Sequence, residues 1–139
     1  MATVLRPSSV SRPRLWTGRV LSALPILFLL LDAALKLVKI QPVIDTQAQL
    51  GYPDIARPLG VLILACTFLY AWPRTAVLGA ILLTGLFGGA IASHVRVEDP
   101  WLGYTLFSFY LAIPMWAGLV LRDPRLEPLL LPFRARSAH

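Results

Sequence analysis

An acid and a base four residues apart, Asp32 and Lys36, lie in an otherwise apolar stretch of the sequence. On a helix this spacing puts both side chains on one face, in the order that favours an ion pair. A charge at bilayer depth costs about 2.5 to 3.5 kcal/mol, so such a residue normally faces protein or a wet cavity. The pair therefore indicates either a functional site or a lysine that reaches the membrane surface while the aspartate neutralises it.

His94 is the second candidate for chemistry, because histidine titrates near neutral pH. It comes at the end of a long apolar run. It is a candidate proton carrier or cofactor ligand, and the alternative is a histidine at a helix end among lipid headgroups. At about 100° per residue, His94 lies about 140° from Gly89 around a helix and nearly opposite Gly85. If the glycines face one neighbour, His94 faces another helix or lipid.

Motifs for metal, nucleotide and hydrolase chemistry do not occur in the sequence, which has no zinc-cluster spacing, Walker loop, GxSxG or HExxH. The single cysteine, Cys66, lies in an apolar run and can form neither an internal disulfide nor a CxxC pair. We therefore expect no metal site. Any chemistry has to come from scattered polar residues that the fold brings together.

The composition is that of a membrane protein. The 139 residues are 57% hydrophobic and 14% charged, with a mean hydropathy of +0.69, whereas about a quarter of the residues of a soluble domain are charged. The net charge of +6 comes from basic residues that mainly flank apolar runs. This placement favours lipid headgroups over nucleic acid as the partner.

Four apolar segments, each long enough to approach or exceed the thickness of a bilayer, predict an all-α transmembrane four-helix bundle. The predicted spans are about 15–38, 55–72, 75–95 and 101–121. Residues 1–14 are expected to form a basic disordered arm and 122–139 a basic tail. Within the polar loop that follows the first span, residues 43–50 are expected to form a short amphipathic helix on the membrane surface.

Aromatic and glycine residues add expectations about the second and third spans. Tyr70 and Trp72 are expected to mark a membrane interface. The uncharged third span is rich in glycines that suit close helix packing, and these are Gly79, Gly85, Gly88 and Gly89. Gly85 and Gly89 form a GxxxG pair, a spacing typical of helix contacts in membranes.

The distribution of lysine and arginine predicts that both termini lie in the cytoplasm. Nine of these residues fall on the side of the termini, namely Arg6, Arg12, Arg14, Arg19, Arg74, Arg122, Arg125, Arg134 and Arg136. Only Lys36, Lys39, Arg57 and Arg96 fall on the other side. Since cytoplasmic loops carry the excess of positive charge, the 39–57 loop and the 96–100 turn are expected outside.

Spans that alternate in direction bring polar residues from separate parts of the chain to one level near the outer end. The candidates for binding a ligand or handling protons are Asp32, Lys36, Arg57, His94, Arg96, Trp101 and Tyr104. Trp101 and Tyr104 lie about one helical turn apart, a spacing suited either to stacking on a planar ligand or to anchoring at the interface.

Several segments resemble the DoxX-like family of small bacterial membrane proteins. They are WPRTAVLGAILLTG, GGAIASHVRV and WAGLVLRDPRL, with LLLDAALKL and LGYPDIARPLGVL fitting as well, and the resemblance runs from about Ile26 onward. The matching motif positions are Lys36, Pro73, Arg74, Gly79, Gly88, Gly89, His94 and Arg122. The resemblance implies a four-helix, multi-pass protein of the bacterial inner (plasma) membrane. For the wider superfamily it implies sulfur or thiol redox chemistry at the quinone pool, although a lone Cys66 argues against thiol exchange within the chain.

Three functions stay open from the sequence, and whether the protein is an enzyme is not decided. In the first, the polar cluster binds a small hydrophobic molecule such as a quinone, with Lys36, His94 and Arg96 binding oxygens or moving protons. In the second, the protein is a non-catalytic subunit or assembly partner that contacts another membrane protein or a second copy of itself. The third is an acid–base enzyme acting on a lipid through Asp32 and His94.

Overall fold

The computed structural model describes residues 10–130, and this part of the chain is helical with no strands. Its helices are α1 (Arg12–Val38), α2 (Gln41–Gln49), α3 (Ala56–Ala71), α4 (Ala76–Arg96), α5 (Leu106–Arg122) and α6 (Glu127–Leu130). A π-helical turn, Trp101–Thr105, leads directly into α5. The predicted all-α class is confirmed.

Three helical segments within residues 10–130 are long and apolar enough to cross a membrane. They are α1, α4 and the continuous stretch formed by the π-helical turn and α5. The second predicted span corresponds to α3, which is apolar but has only 16 residues. At about 1.5 Å per residue it measures about 24 Å, less than a hydrocarbon core of about 30 Å.

Helices α1, α3, α4 and α5 form a bundle. Helices that pack against each other run antiparallel. Helix α1 packs against α3 and α5, and α4 packs against the same two helices. Gly60 at the start of α3 lies beside Lys36 near the end of α1, whereas Gly18 near the start of α1 lies beside Arg122. We call the end that holds the C-termini of α1 and α4 the α2 end, and the opposite end the α6 end.

Small residues let the helices approach closely where they cross. The buried residues of α1 recur every three or four positions, as expected for a helix with one face in the core, and these are Gly18, Ser22, Pro25, Leu29 and Ala33. A Cβ atom on Gly118 of α5 would lie 2.4 Å from Ser22 Oγ, and one on Gly79 of α4 would lie 2.2 Å from the backbone nitrogen of Tyr70. Glycine at these two positions is therefore required by the packing.

Tyr70 lies in the core, so the prediction that it marks the membrane interface is wrong. Its relative exposure is 0%. Its hydroxyl donates to the backbone oxygen of Met115 at 2.8 Å and lies 2.9 Å from Ser22 Oγ. A tyrosine can be buried fully when its hydroxyl finds such partners. Trp72, two residues on, is 64% exposed, as an interface residue would be.

The ends of the bundle differ in detail from the predicted segments. Helix α1 begins at Arg12, with proline in its first turn, where a missing N–H is tolerated. The remainder of the predicted arm, 1–9, lies outside the described residues, as does 131–139 of the predicted tail. The described part of the tail turns back on the bundle, because Arg14 Nη2 donates to Glu127 Oε2 at 2.7 Å.

Candidate functional site

A cavity of about 590 Å³ lies between the helices at the α2 end. Its apolar wall comes from α1, α3, α4 and α5 and includes Phe28, Ile63, Leu83, Phe87, Phe107 and Leu111. Its polar lining includes Asp32, Lys36, Gln47, Ser93, His94 and Ser108. The cavity therefore has an apolar body with hydrogen-bonding groups contributed by separate elements.

Lys36 and Asp32 form the ion pair that their spacing predicts. Lys36 Nζ lies 2.5 Å from Asp32 Oδ1, and the side chains are 14% and 27% exposed. Gly60 of α3 leaves room for the lysine stem, since a Cβ atom there would lie 3.1 Å from Lys36 Cβ. Burying a charge is costly unless the charge is paired, so Asp32 stabilises Lys36 at the cavity wall.

His94 lines the same cavity and is held by a carboxylate that the sequence analysis missed. Its Nδ1 lies 2.6 Å from Asp99 Oδ2, with the two side chains 14% and 13% exposed. Glu98 adopts a positive φ of 59°, which reverses the chain and lets the Asp99 N–H donate to the His94 carbonyl. A carboxylate on one ring nitrogen fixes the orientation of the imidazole. The spacing of the two residues across a short turn was the available signal.

Arg96 contacts residues 50–52, the segment after α2. We call this segment the cover of the cavity. Its guanidinium donates to the backbone oxygen of Leu50 and lies 5.4 Å from the centroid of the Tyr52 ring. Gly51 has a φ of 83°, a conformation that suits glycine and that turns the chain between these two contacts. Leu50 and Tyr52 both line the cavity, so Arg96 acts on the cover of the cavity rather than on its interior.

Two of the predicted residues do not contribute to the cavity lining among the described side chains. Arg57 is exposed at the start of α3, and Trp101 is 65% exposed in the π-helical turn. Neither lines the cavity. Tyr104 belongs to the same turn, but its side chain lies outside the described part of the structure. The structure thus gathers Asp32, Lys36 and His94 at the cavity, with Arg96 at its cover.

The glycines of α4 divide into two groups. Gly79 packs on the backbone of α3, as described above. A Cβ atom on Gly85, Gly88 or Gly89 would have no neighbouring atom within 4 Å, so these three make no close helix contact within the described chain. Their role in packing against another helix stays a prediction. Gly85 and Gly89 also border the cavity, whereas Gly88 does not.

Metal-binding groups do not come together within residues 10–130, where no cluster of three or more His, Cys, Asp or Glu side chains is found. Cys66 is buried as a free thiol in α3. The polar groups at the cavity are an ammonium, an imidazole, a carboxylate, an amide and hydroxyls, which suit hydrogen bonding to a ligand and proton transfer.

A comparison with known protein families covers all the residues that line this cavity. The model of the DoxX-like family matches residues 20–118, which is more than half of the chain and contains every residue of the cavity lining. The chain belongs to the DoxX-like family. The family and the apolar helices together make this DoxX-like chain a membrane protein. No curated protein and no solved structure matches it.

Proposed function

We propose that this DoxX-like protein binds a small hydrophobic molecule of the quinone class in the cavity at the α2 end, in a redox-associated role. One observation carries the proposal, which is the combination of apolar walls with the Lys36 ammonium and the His94 imidazole at the polar end of one cavity. A volume of about 590 Å³ falls within the range of about 300 to 1,000 Å³ typical of ligand sites. The rings of Phe28 and Phe107, whose centroids lie 4.8 Å apart in an edge-to-face contact, add aromatic surface on which a planar ring can stack.

In such a complex the Lys36–Asp32 pair holds the ligand and the His94–Asp99 pair handles protons. Lys36 donates a hydrogen bond to one quinone oxygen while Asp32 compensates its charge. His94, oriented by Asp99, transfers a proton to or from an oxygen when a redox partner changes the oxidation state of the ring. The electrons come from that partner, because the proposal assigns only binding and proton handling to this chain.

Ligand binding is tested with two tryptophan substitutions on α5. Leu111→Trp fills the cavity, whereas Ile113→Trp places the same ring on a position that is 66% exposed. Purified protein in mild detergent is titrated with a short-chain quinone by calorimetry, and native ligands are extracted for mass spectrometry. We expect Ile113→Trp to bind as the wild type does and Leu111→Trp to lose binding.

Lys36→Met tests the proposed hydrogen bond in the same assay. A lost hydrogen bond to a charged group corresponds to a weakening of affinity of about tenfold or more. Unchanged affinity in both Leu111→Trp and Lys36→Met, with no quinone in the extract, would rule out the cavity as a quinone site.

A second candidate function, that of a non-catalytic subunit or assembly partner, is favoured by the open glycine face of α4. Gly88 is the best position for a test, because it borders open space and lies outside the cavity lining. If this face contacts a helix of another chain, Gly88→Leu dissociates the complex on native gels and leaves quinone binding intact. Leu111→Trp has the opposite pair of effects if the cavity carries the function.

We also propose four membrane spans in a bacterial inner membrane, with both termini in the cytoplasm. Charge supports this orientation. Within residues 10–130, six arginines and two carboxylates lie at the α6 end, whereas four basic and five acidic residues lie at the α2 end. Because the positive end of a membrane protein faces the cytoplasm, the cavity opens toward the outer side.

A further inference from the structure

Within residues 10–130, two arginines at the α6 end have buried hydrogen-bond donors without a partner. In Arg122 these donors are Nε and Nη2, and in Arg14 the donor is Nε. Leaving a buried hydrogen-bond donor unpaired is unfavourable, and more so when the group is charged. These guanidinium donors are therefore suited to an anionic group that the described residues do not supply.

The geometry of the Arg122 guanidinium indicates which anionic groups it can bind. Nε and Nη2 share one edge of the planar guanidinium, and this edge donates two parallel hydrogen bonds to a carboxylate or a phosphate. The Arg122 stem is fixed against α1, with Cγ 2.9 Å from the position of a Cβ atom on Gly18. Its guanidinium lies 5.3 Å from the centroid of the Tyr70 ring. The protein thus holds a two-donor edge in a set orientation.

Arg14 lies on the same side of the bundle. It precedes Gly18 by four residues on α1, and residues four apart share one helix face. Arg122 packs on Gly18, so the two arginines are neighbours at the junction of α1 and α5. Within the described residues, the carboxylates of this end do not accept from Nε or Nη2 of Arg122, since Glu127 accepts from Arg14 Nη2 and Asp123 accepts from the backbone N–H of Arg125.

We infer that Arg122, with Arg14 beside it, binds the phosphate group of an anionic phospholipid. Trp16 and Trp72 support a lipid as the source of the phosphate. They belong to the same end, are 62% and 64% exposed, and are of the residue type that lies at the depth of lipid headgroups. Arg122 as a whole is partly exposed, so a headgroup can approach its guanidinium from the surface of the bundle.

Native mass spectrometry of the full-length protein tests this inference. The protein in mild detergent is incubated with phosphatidylglycerol or with phosphatidylcholine of the same acyl chains, and retained lipid is measured. We expect the wild type to retain one phosphatidylglycerol in preference to phosphatidylcholine, because both lipids carry the phosphate but the choline ammonium repels the two guanidinium groups. Arg122→Lys keeps the charge and most of the stem but has no two-donor edge, so its retention of phosphatidylglycerol should fall about tenfold, the effect of a lost hydrogen bond to a charged group. Arg74→Lys, exposed at the same end, should retain phosphatidylglycerol as the wild type does.

The remaining outcomes distinguish a lipid site from a site for free phosphate and from no site. Equal retention of the two lipids by the wild type overturns the inference, and so does wild-type retention of phosphatidylglycerol in Arg122→Lys. Displacement of the lipid by millimolar inorganic phosphate overturns the lipid as the source and supports a site for free phosphate. If Arg122→Lys does not fold, the comparison of the two lipids on the wild type still decides. Leu111→Trp, at the other end, should leave lipid retention unchanged.

Discussion

At the scale of single residues, Lys36 depends on Asp32 for its place in the cavity wall. The pair sits in α1 with Lys36 Nζ 2.5 Å from Asp32 Oδ1 and only part of either side chain exposed. Removing one partner leaves a charge in a largely apolar setting, which costs more than removing both. The pair therefore has consequences for folding as well as for binding.

We expect Asp32→Ala to lower the unfolding free energy by about 1 to 3 kcal/mol, the cost of an unpaired buried group. The double change Asp32→Asn with Lys36→Gln should recover most of this loss, because no net charge stays at the wall. Thermal unfolding in detergent, followed by tryptophan fluorescence, measures both. Asp45→Asn, exposed on α2, serves as the control and should have little effect. A double variant no more stable than Asp32→Ala would contradict the argument.

At the scale of helices, α1 and α5 meet through backbone atoms rather than through large side chains. A Cβ atom on Gly118 would lie 2.8 Å from the Gly18 carbonyl oxygen and from the Ser22 nitrogen, so the neighbouring backbone would have to move. We expect Gly118→Ala to destabilise the bundle by about 1 to 3 kcal/mol through overpacking.

Gly88→Ala is the matched control, since a Cβ atom there meets nothing within 4 Å. Alanine favours a helix over glycine by up to about 1 kcal/mol, so this variant should be as stable as the wild type or more so. Chemical or thermal unfolding of the two variants side by side is the measurement. Equal stability would mean that α1 and α5 are further apart than described.

Helix α2 makes few contacts with the rest of the bundle, and Arg96 supplies two that hold it. Arg96 donates to Leu50 and packs on the ring of Tyr52. We expect Arg96→Ala to speed hydrogen exchange at the amides of 43–50 by about fivefold to a hundredfold, the range for a lost hydrogen bond and a cation–π contact of about 1 to 3 kcal/mol together. Arg57→Ala, exposed nearby, is the control. Unchanged exchange in Arg96→Ala would show that α2 is held by other contacts.

At the scale of the whole molecule, orientation in the membrane is tested by cysteine labelling. In a Cys66→Ala background, Gln49→Cys places a thiol at the α2 end and Ser11→Cys places one at the α6 end, both at exposed positions. An impermeant maleimide applied to intact spheroplasts should label Gln49→Cys directly and Ser11→Cys only after permeabilisation. The reverse pattern would contradict the proposed orientation.

Sequence reasoning predicted the helices and the meeting of Asp32, Lys36 and His94 at one end, because both follow from apolar runs joined by short polar turns. It could not predict that Asp99 contacts His94, which depends on the positive φ of Glu98. Tyr70 was misread because an aromatic residue near a helix end fits an interface as well as a core, and only its contacts with α1 and α5 decide.

The sequence also could not predict which face of α4 packs against the neighbouring helices. The glycine spacing suggested that Gly85 and Gly89 make the contact. The buried face is instead Ala76, Gly79, Ala80, Leu83 and Phe87. Small and large residues both suit a helix contact, so the sequence pattern alone does not choose between two faces of one apolar helix.

Because α3 is short, we expect the stability of the protein to depend on the thickness of the bilayer. In the proposed four-span arrangement, a 16-residue helix is about 6 Å shorter than the hydrocarbon core of a typical bilayer. Hydrophobic mismatch of this kind is relieved when the surrounding lipid thins. We expect the protein to melt at a higher temperature in nanodiscs of shorter-chain lipids than in those of longer-chain lipids with the same headgroup. Lipids beside α3 would then be more compressed than those beside α1, and headgroup water would reach closer to the cavity there.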